Sequence, residues 1–349
     1  MKKWGVLLVL LICSIYMYSF VKKQKHTPYS IVIPQHIQQR ITSMHFPNAQ
    51  NPLSEAGISL GRLLFYDVRL SKNNTISCGS CHIQAFAFSD TATFSRGVEN
   101  GIGDRNSMSL ANIAWNARFF WDGRAATLQD QIHDPIIDKR EMNNTWADVL
   151  RFLNNDATYK SQFKKVFNTK VIYDTHVKKA IEQFVVSILS FDSPFDHFYY
   201  LDDNNAISQD AQQGLKLFFG KARCGNCHNG VLLSNQQFMN NGLDSITVPG
   251  LYNATAQHKD YGLNKTPTLR NIAVTAPYMH DGRFKTLEEV LNFYNNNVHG
   301  SSVNIDFRMQ PFVGGLHLNQ DEIKQIITFL NTLTDSPFLK NSSYSNPNL

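Results

Sequence analysis

Two stretches decide the reading of this chain: Cys78-Gly-Ser-Cys81-His82 and Cys224-Gly-Asn-Cys227-His228. In a Cys-x-x-Cys-His run the two thiols can add across the vinyl groups of a haem, and the adjacent histidine then supplies the proximal iron ligand. A zinc site needs ligand pairs of matching kind, and a redox Cys-x-x-Cys needs no histidine. The chain has 5 cysteines. The fifth, Cys13, lies in an apolar N-terminal stretch, so none is left for a structural disulfide. Both runs therefore read as c-type haem attachment sites, with His82 and His228 as proximal ligands.

Outward from the motifs, the text is helical. Ser54 is a candidate N-cap for a helix carrying Ala56, Ile58, Leu60, Leu63 and Leu64 on one stripe. A matching helix with Ala211, Leu215, Leu217 and Phe218 precedes the second motif. A long helix is expected over about Thr175 to Leu189. Its exit, from Asp192 through Asn205, reads as a linker. The halves also repeat. Asn112-Ile-Ala114, Asp122-Gly-Arg124 and Thr127-Leu128 recur at the same spacing as Asn271-Ile-Ala273, Asp281-Gly-Arg283 and Thr286-Leu287. This pattern predicts two copies of one haem-binding unit in a mainly α fold. The expected divisions are 1–25, 26–203 and 204–349.

Residues 1–25 read as a targeting segment. Met1-Lys2-Lys3 precedes an apolar run from Trp4 to Val21, and no small-x-small cleavage site is obvious. The chain is thus expected to be exported, either through a cleaved signal peptide or with residues 4–21 as a membrane anchor. The net charge of +5 is spread over 349 residues. That scatter gives no basic stripe of the kind nucleic acid needs.

These segments resemble the bacterial di-haem cytochrome c peroxidase and MauG family. The resemblance rests on Leu60-Gly-Arg-Leu-Leu-Phe-Tyr-Asp67, Ile76-Ser-Cys-Gly-Ser-Cys-His82 and Phe120-Trp-Asp-Gly-Arg-Ala-Ala126. It continues through Phe219-Gly-Lys-Ala-Arg-Cys224, Thr266-Pro-Thr-Leu-Arg-Asn271 and Ala276-Pro-Tyr-Met-His-Asp-Gly282. It implies two cytochrome c-like domains facing each other, a peroxide-reactive haem on Cys78 and Cys81, and an electron-transfer haem on Cys224 and Cys227. It further implies Trp121 between the haems, Glu141 and Gln131 as the groups that manage peroxide protons, and a calcium ion held by Asn106, Thr275 and Pro277. Arg140, beside Glu141, is expected to hold that carboxylate ionised. The implied partners are hydrogen peroxide and an electron donor, either a small c-type cytochrome or a blue copper protein. An oxidisable protein substrate is the alternative, and a homodimer is compatible.

The chain departs from the peroxidase pattern twice. Where many relatives place a histidine that caps the first haem, this sequence has Val98. Met108 and His133 remain as other possible caps. Where relatives ligate the second haem with a methionine, this sequence has Tyr294, as MauG does, with Met309, His299 and Met279 as alternatives. An oxygen ligand stabilises ferric and higher states over ferrous iron. Three readings follow: a peroxidase, a MauG-like oxidase acting on a protein or other substrate, and a non-enzymatic di-haem carrier or sensor in which both haems are capped.

Overall fold

The computed structural model describes residues 27–41 and 49–348. The segment 1–25 lies outside these residues, and no described helix is long and apolar enough to cross a membrane. The fold is mainly helical. Among the described residues the one sheet is a two-stranded antiparallel pair, Phe238–Met239 with Asn264–Lys265.

Each haem unit is built around one crossing of two helices. In the first, Glu55–Phe65 packs on Asp174–Val186. In the second, Gln209–Phe219 packs on Gln320–Asn331. Both crossings are set by glycine. A Cβ on Gly61 would lie 2.0 Å from Ala180 O, and one on Gly214 would lie 1.9 Å from Gln325 O. The backbones can touch there only without a side chain between them. The start of the first helix agrees with the sequence reading. Ser54 caps through Gly57 N–H and Ser208 through Ala211 N–H, each satisfying a donor that the first turn leaves open.

Behind each crossing lies an apolar core. One holds Leu60, Phe65, Phe88, Ile181 and Phe184; the other holds Phe195, Phe218, Leu291, Ile326 and Phe329. Two features depart from the expected boundaries. The supposed linker contains a helix, Pro194–Tyr200, capped by Ser193. Its Asp196 makes a bidentate, fully buried ion pair with Arg270, and Phe195 sits in the second core. The last described residues turn back to the first unit: Phe338 packs against Phe88, and Tyr66 donates its hydroxyl to Tyr344 O.

Candidate functional site

The repeat continues past the residues that announce it. Asn112 to Asn271, Asp122 to Asp281 and Thr127 to Thr286 are each 159 residues apart, and the backbone obeys that register. Phe119 N–H donates to Ala125 O as Tyr278 N–H does to Phe284 O. Asn112 and Asn271 both take left-handed conformations, with φ of 59° and 62°. Thr127 and Thr286 both open a helix with a capping box, Leu128–Ile137 and Leu287–Asn296. Each of these helices walls one cavity.

The first cavity is about 180 Å³ and the second about 230 Å³. Cys78, Cys81 and His82 line the first; Cys224, Cys227 and His228 line the second. None of the four thiols is in a disulfide. His82 Nδ1 bonds to Phe88 O at 2.8 Å, and His228 Nδ1 to Leu233 O at 3.2 Å. With Nδ1 engaged by a carbonyl, Nε2 is the nitrogen that would ligate a metal on each ring. Burial lowers both imidazole pKa values, that of His228 to about 4, so both stay neutral, the form that binds iron. The motif glycines are tight against rings: a Cβ on Gly79 or Gly225 would strike Tyr66 or Phe219. The walls fit a haem attached through both thiols in each cavity.

The contents of the cavities then diverge. Gln131, Pro135 and Glu141 line the first, with Met108, Arg124 and Arg140. His82 is the one histidine among that lining. Val98 is buried in the adjoining turn and donates its N–H to Glu141 O at 2.8 Å. His133 points elsewhere, stacked on Trp146, whose indole N–H bonds its Nδ1. Burial, helped by Asp138, pushes the Glu141 carboxyl up to about 7 against the pull of Arg124 and Arg140. The ion pair expected between Arg140 and Glu141 is not formed. The Arg140 guanidinium pairs with Asp138 and Asp104, because these carboxylates face it on the outer side of the turn. Glu141 is therefore poised between its two protonation states rather than held ionised.

Tyr294 lines the second cavity on the same face as Leu287, Val290 and Leu291. Its hydroxyl accepts from Asn241 Nδ2 at 3.0 Å, and burial pushes its pKa up to about 12. Met309 and Met279 share that cavity, and Met239 joins them. His299 is not among the lining residues; its N–H donates to Gly242 O. No sequence signal had pointed to Asn241 or Met239.

Between the cavities stands Trp121, which lines both. Its indole N–H donates to Asn106 O at 2.8 Å, and its ring meets His280 edge to face at 6.5 Å. Asn106 also lines both cavities, and Thr275 and Pro277 line the second. The Asn106 amide nitrogen is spent on Ala92 O and Thr93 O, which leaves its oxygen for another partner. Oxygen donors of this kind suit calcium, with water filling the rest of the shell.

Comparisons with known proteins agree with this geometry. Residues 55–205 match the family signature for di-haem cytochrome c peroxidase. The methylamine utilization protein MauG of Methylorubrum extorquens is 33% identical over 86% of this chain and 84% of its own. The cytochrome c551 peroxidase of Nitrosomonas europaea is 34% identical over 80% of this chain and 81% of its own. Among solved structures, a MauG-like protein associated with microbial copper homeostasis is 32% identical with a TM-score of 0.81. It covers 92% of this chain and 100% of its own.

Proposed function

Because this chain belongs to the di-haem cytochrome c peroxidase family, an oxidoreductase family that uses hydrogen peroxide, we propose that its first cavity is the peroxide site and its second the electron-transfer site. The observation that carries the assignment is the pair Glu141 and Gln131 in the cavity of His82, with no second histidine in its lining. When bound, each haem supplies a redox-active iron. Glu141 takes the proton from one peroxide oxygen and delivers it to the other, so that water leaves; a further two protons and two electrons complete the reduction to two waters. Gln131 orients peroxide through its amide. A carboxyl with a pKa near 7 can give and take that proton at neutral pH.

Trp121 relays electrons between the cavities. Tyr294 would supply an oxygen donor to the second haem, with Asn241 holding its hydroxyl. Such a ligand would favour the oxidised states of that haem and so supports the MauG-like form of the reaction, in which an oxidisable protein is the electron source. A small c-type cytochrome or blue copper protein is the donor in the ordinary form. Asn106, Thr275 and Pro277 would hold a calcium ion at the boundary of the units. The relatives and the N-terminal segment support a periplasmic location.

An EPR spectrum of the resting ferric protein tests the assignment. It should contain one open, high-spin haem and one six-coordinate haem. Two low-spin signals would make the protein an electron carrier or sensor instead.

A further inference from the structure

The 159-residue register pairs Asn106 with Lys265, Arg118 with Pro277 and Trp121 with His280. Two backbone bonds repeat that pairing across the boundary of the units. Asn106 N–H donates to His280 O at 2.9 Å, and Lys265 N–H donates to Trp121 O at 2.8 Å. Each unit thus holds the same turn of the other.

The side chains break the symmetry. Asn106 turns its amide back to Ala92 and Thr93 of its own unit. Lys265 instead reaches across, and its Nζ donates to Arg118 O at 3.0 Å. One residue of the second unit therefore holds the carbonyls at both ends of the turn Arg118–Trp121. Apart from the indole's own contacts with Asn106 O and the His280 ring, that turn's other ties are internal: Arg118 Nε to Gly123 O, Phe119 to Ala125 and Gly123 to Phe120. The internal ties shape the turn without joining its backbone to the second unit. The base of the lysine is firm, since Asn264–Lys265 is paired with Phe238–Met239.

We propose that Lys265 is a positioning residue for Trp121, fastening the turn that carries the indole to the second unit and so fixing the indole in the wall between the cavities. Lys265 is 5% exposed and lines both cavities. A buried ammonium is costly without a compensating charge. Burial lowers its pKa to about 7, so the amine can shed its charge and still donate to Arg118 O. A hydrocarbon of the same length would fill the space and leave that carbonyl unheld.

The test uses the wild type, Lys265→Met, Trp121→Phe and the double variant, each carrying both haems. The first readout is the ultraviolet resonance Raman band that reports the indole hydrogen bond, assigned to Trp121 by its loss in Trp121→Phe. It should shift in Lys265→Met and return in Lys265→Arg, which keeps a donor. An unshifted band overturns the positioning role. The second readout rests on the relay reading of Trp121: the rate of electron equilibration between the haems after flash reduction. Lys265→Met should slow it by about tenfold to a hundredfold, the scale set by a relay group misplaced on the order of 1 Å. In the Trp121→Phe background the same change should add less than about twofold, because both act through one group. Slowing that multiplies fully with that of Trp121→Phe overturns the proposal. A Trp121→Phe rate equal to wild type sinks the relay reading and leaves the positioning role standing on the Raman band. If Lys265→Met fails to take up both haems, Lys265→Gln replaces it, since its arm is polar but too short for Arg118 O.

Discussion

At one position of the repeat the first unit has Pro135 and the second has Tyr294, each on the helix that walls its cavity. One turn earlier, Gln131 stands opposite Val290. The same count sets Glu141 opposite Gly300, which has no side chain. Much of the scaffold is shared: a glycine crossing, a capped helix, and a backbone carbonyl on the proximal histidine. On the proposed reading, the two cavities differ in function mainly through these three positions. In the first, the matching position is a proline, whose ring is too short to reach far, and Gln131 and Glu141 line the cavity as the proposed handlers of peroxide protons. In the second, those polar groups are absent and a phenol is present. On that reading, a duplicated unit becomes a catalyst or a conduit according to what its wall helix and the turn after it present.

The comparison breaks most sharply at Glu141. Glu141→Gln keeps the shape and removes the proton carrier, so peroxide turnover should fall by about 10²–10⁴-fold with both haems retained. Steady-state assay with a haem-stained gel checks this, and near-normal turnover would remove Glu141 from the mechanism. Next come exchanges at the shared helix position. Pro135→Tyr should give the first haem a second ligand, convert its EPR signal to low spin and suppress its reaction with peroxide. Tyr294→Phe should alter the EPR signal of the second haem alone. If the second signal is unmoved, Met309 or Met279 is its ligand.

Smaller effects test what the units share. Gly61→Ala and Gly214→Ala each place a methyl against backbone, and each should cost about 1–3 kcal/mol by overpacking. Chemical denaturation should give similar losses for the two; a free change at either would show that crossing to be looser than its twin. The pH dependence is subtler still. The Glu141 pKa is raised from 4.5 to about 7. Its base form, and with it the rate with peroxide, should rise through about pH 7, and Glu141→Gln should flatten that limb. Stability should run the other way. A carboxyl whose folded pKa is raised contributes fully below its ordinary range and loses that contribution as pH climbs through about 7.

What could be read from the sequence was whatever chemistry places close along the chain. Cysteine and histidine spacing pointed to the haem sites, a hydroxyl ahead of a helical stripe pointed to the cap at Ser54, and the gapless repeat pointed to two units. Contacts between distant segments were illegible. Arg140 is next to Glu141 in sequence but pairs with Asp104 and Asp138. Asp196 looked like linker polarity until Arg270, 74 residues on, buried it. Asn241 lies in irregular chain and meets Tyr294 53 residues on, where no periodicity points. Lys265 lay within reach, since extending the repeat six residues before Asn271 sets it opposite Asn106, but its reach to Arg118 required coordinates.

The return of the last described segment makes the first core discontinuous along the chain. Tyr344 reaches Tyr66, 278 residues earlier, and Phe338 covers Phe88, whose carbonyl orients His82. Closure of the first core therefore draws on chain from both sides of the second unit, whereas the second unit's two crossing helices end by Asn331.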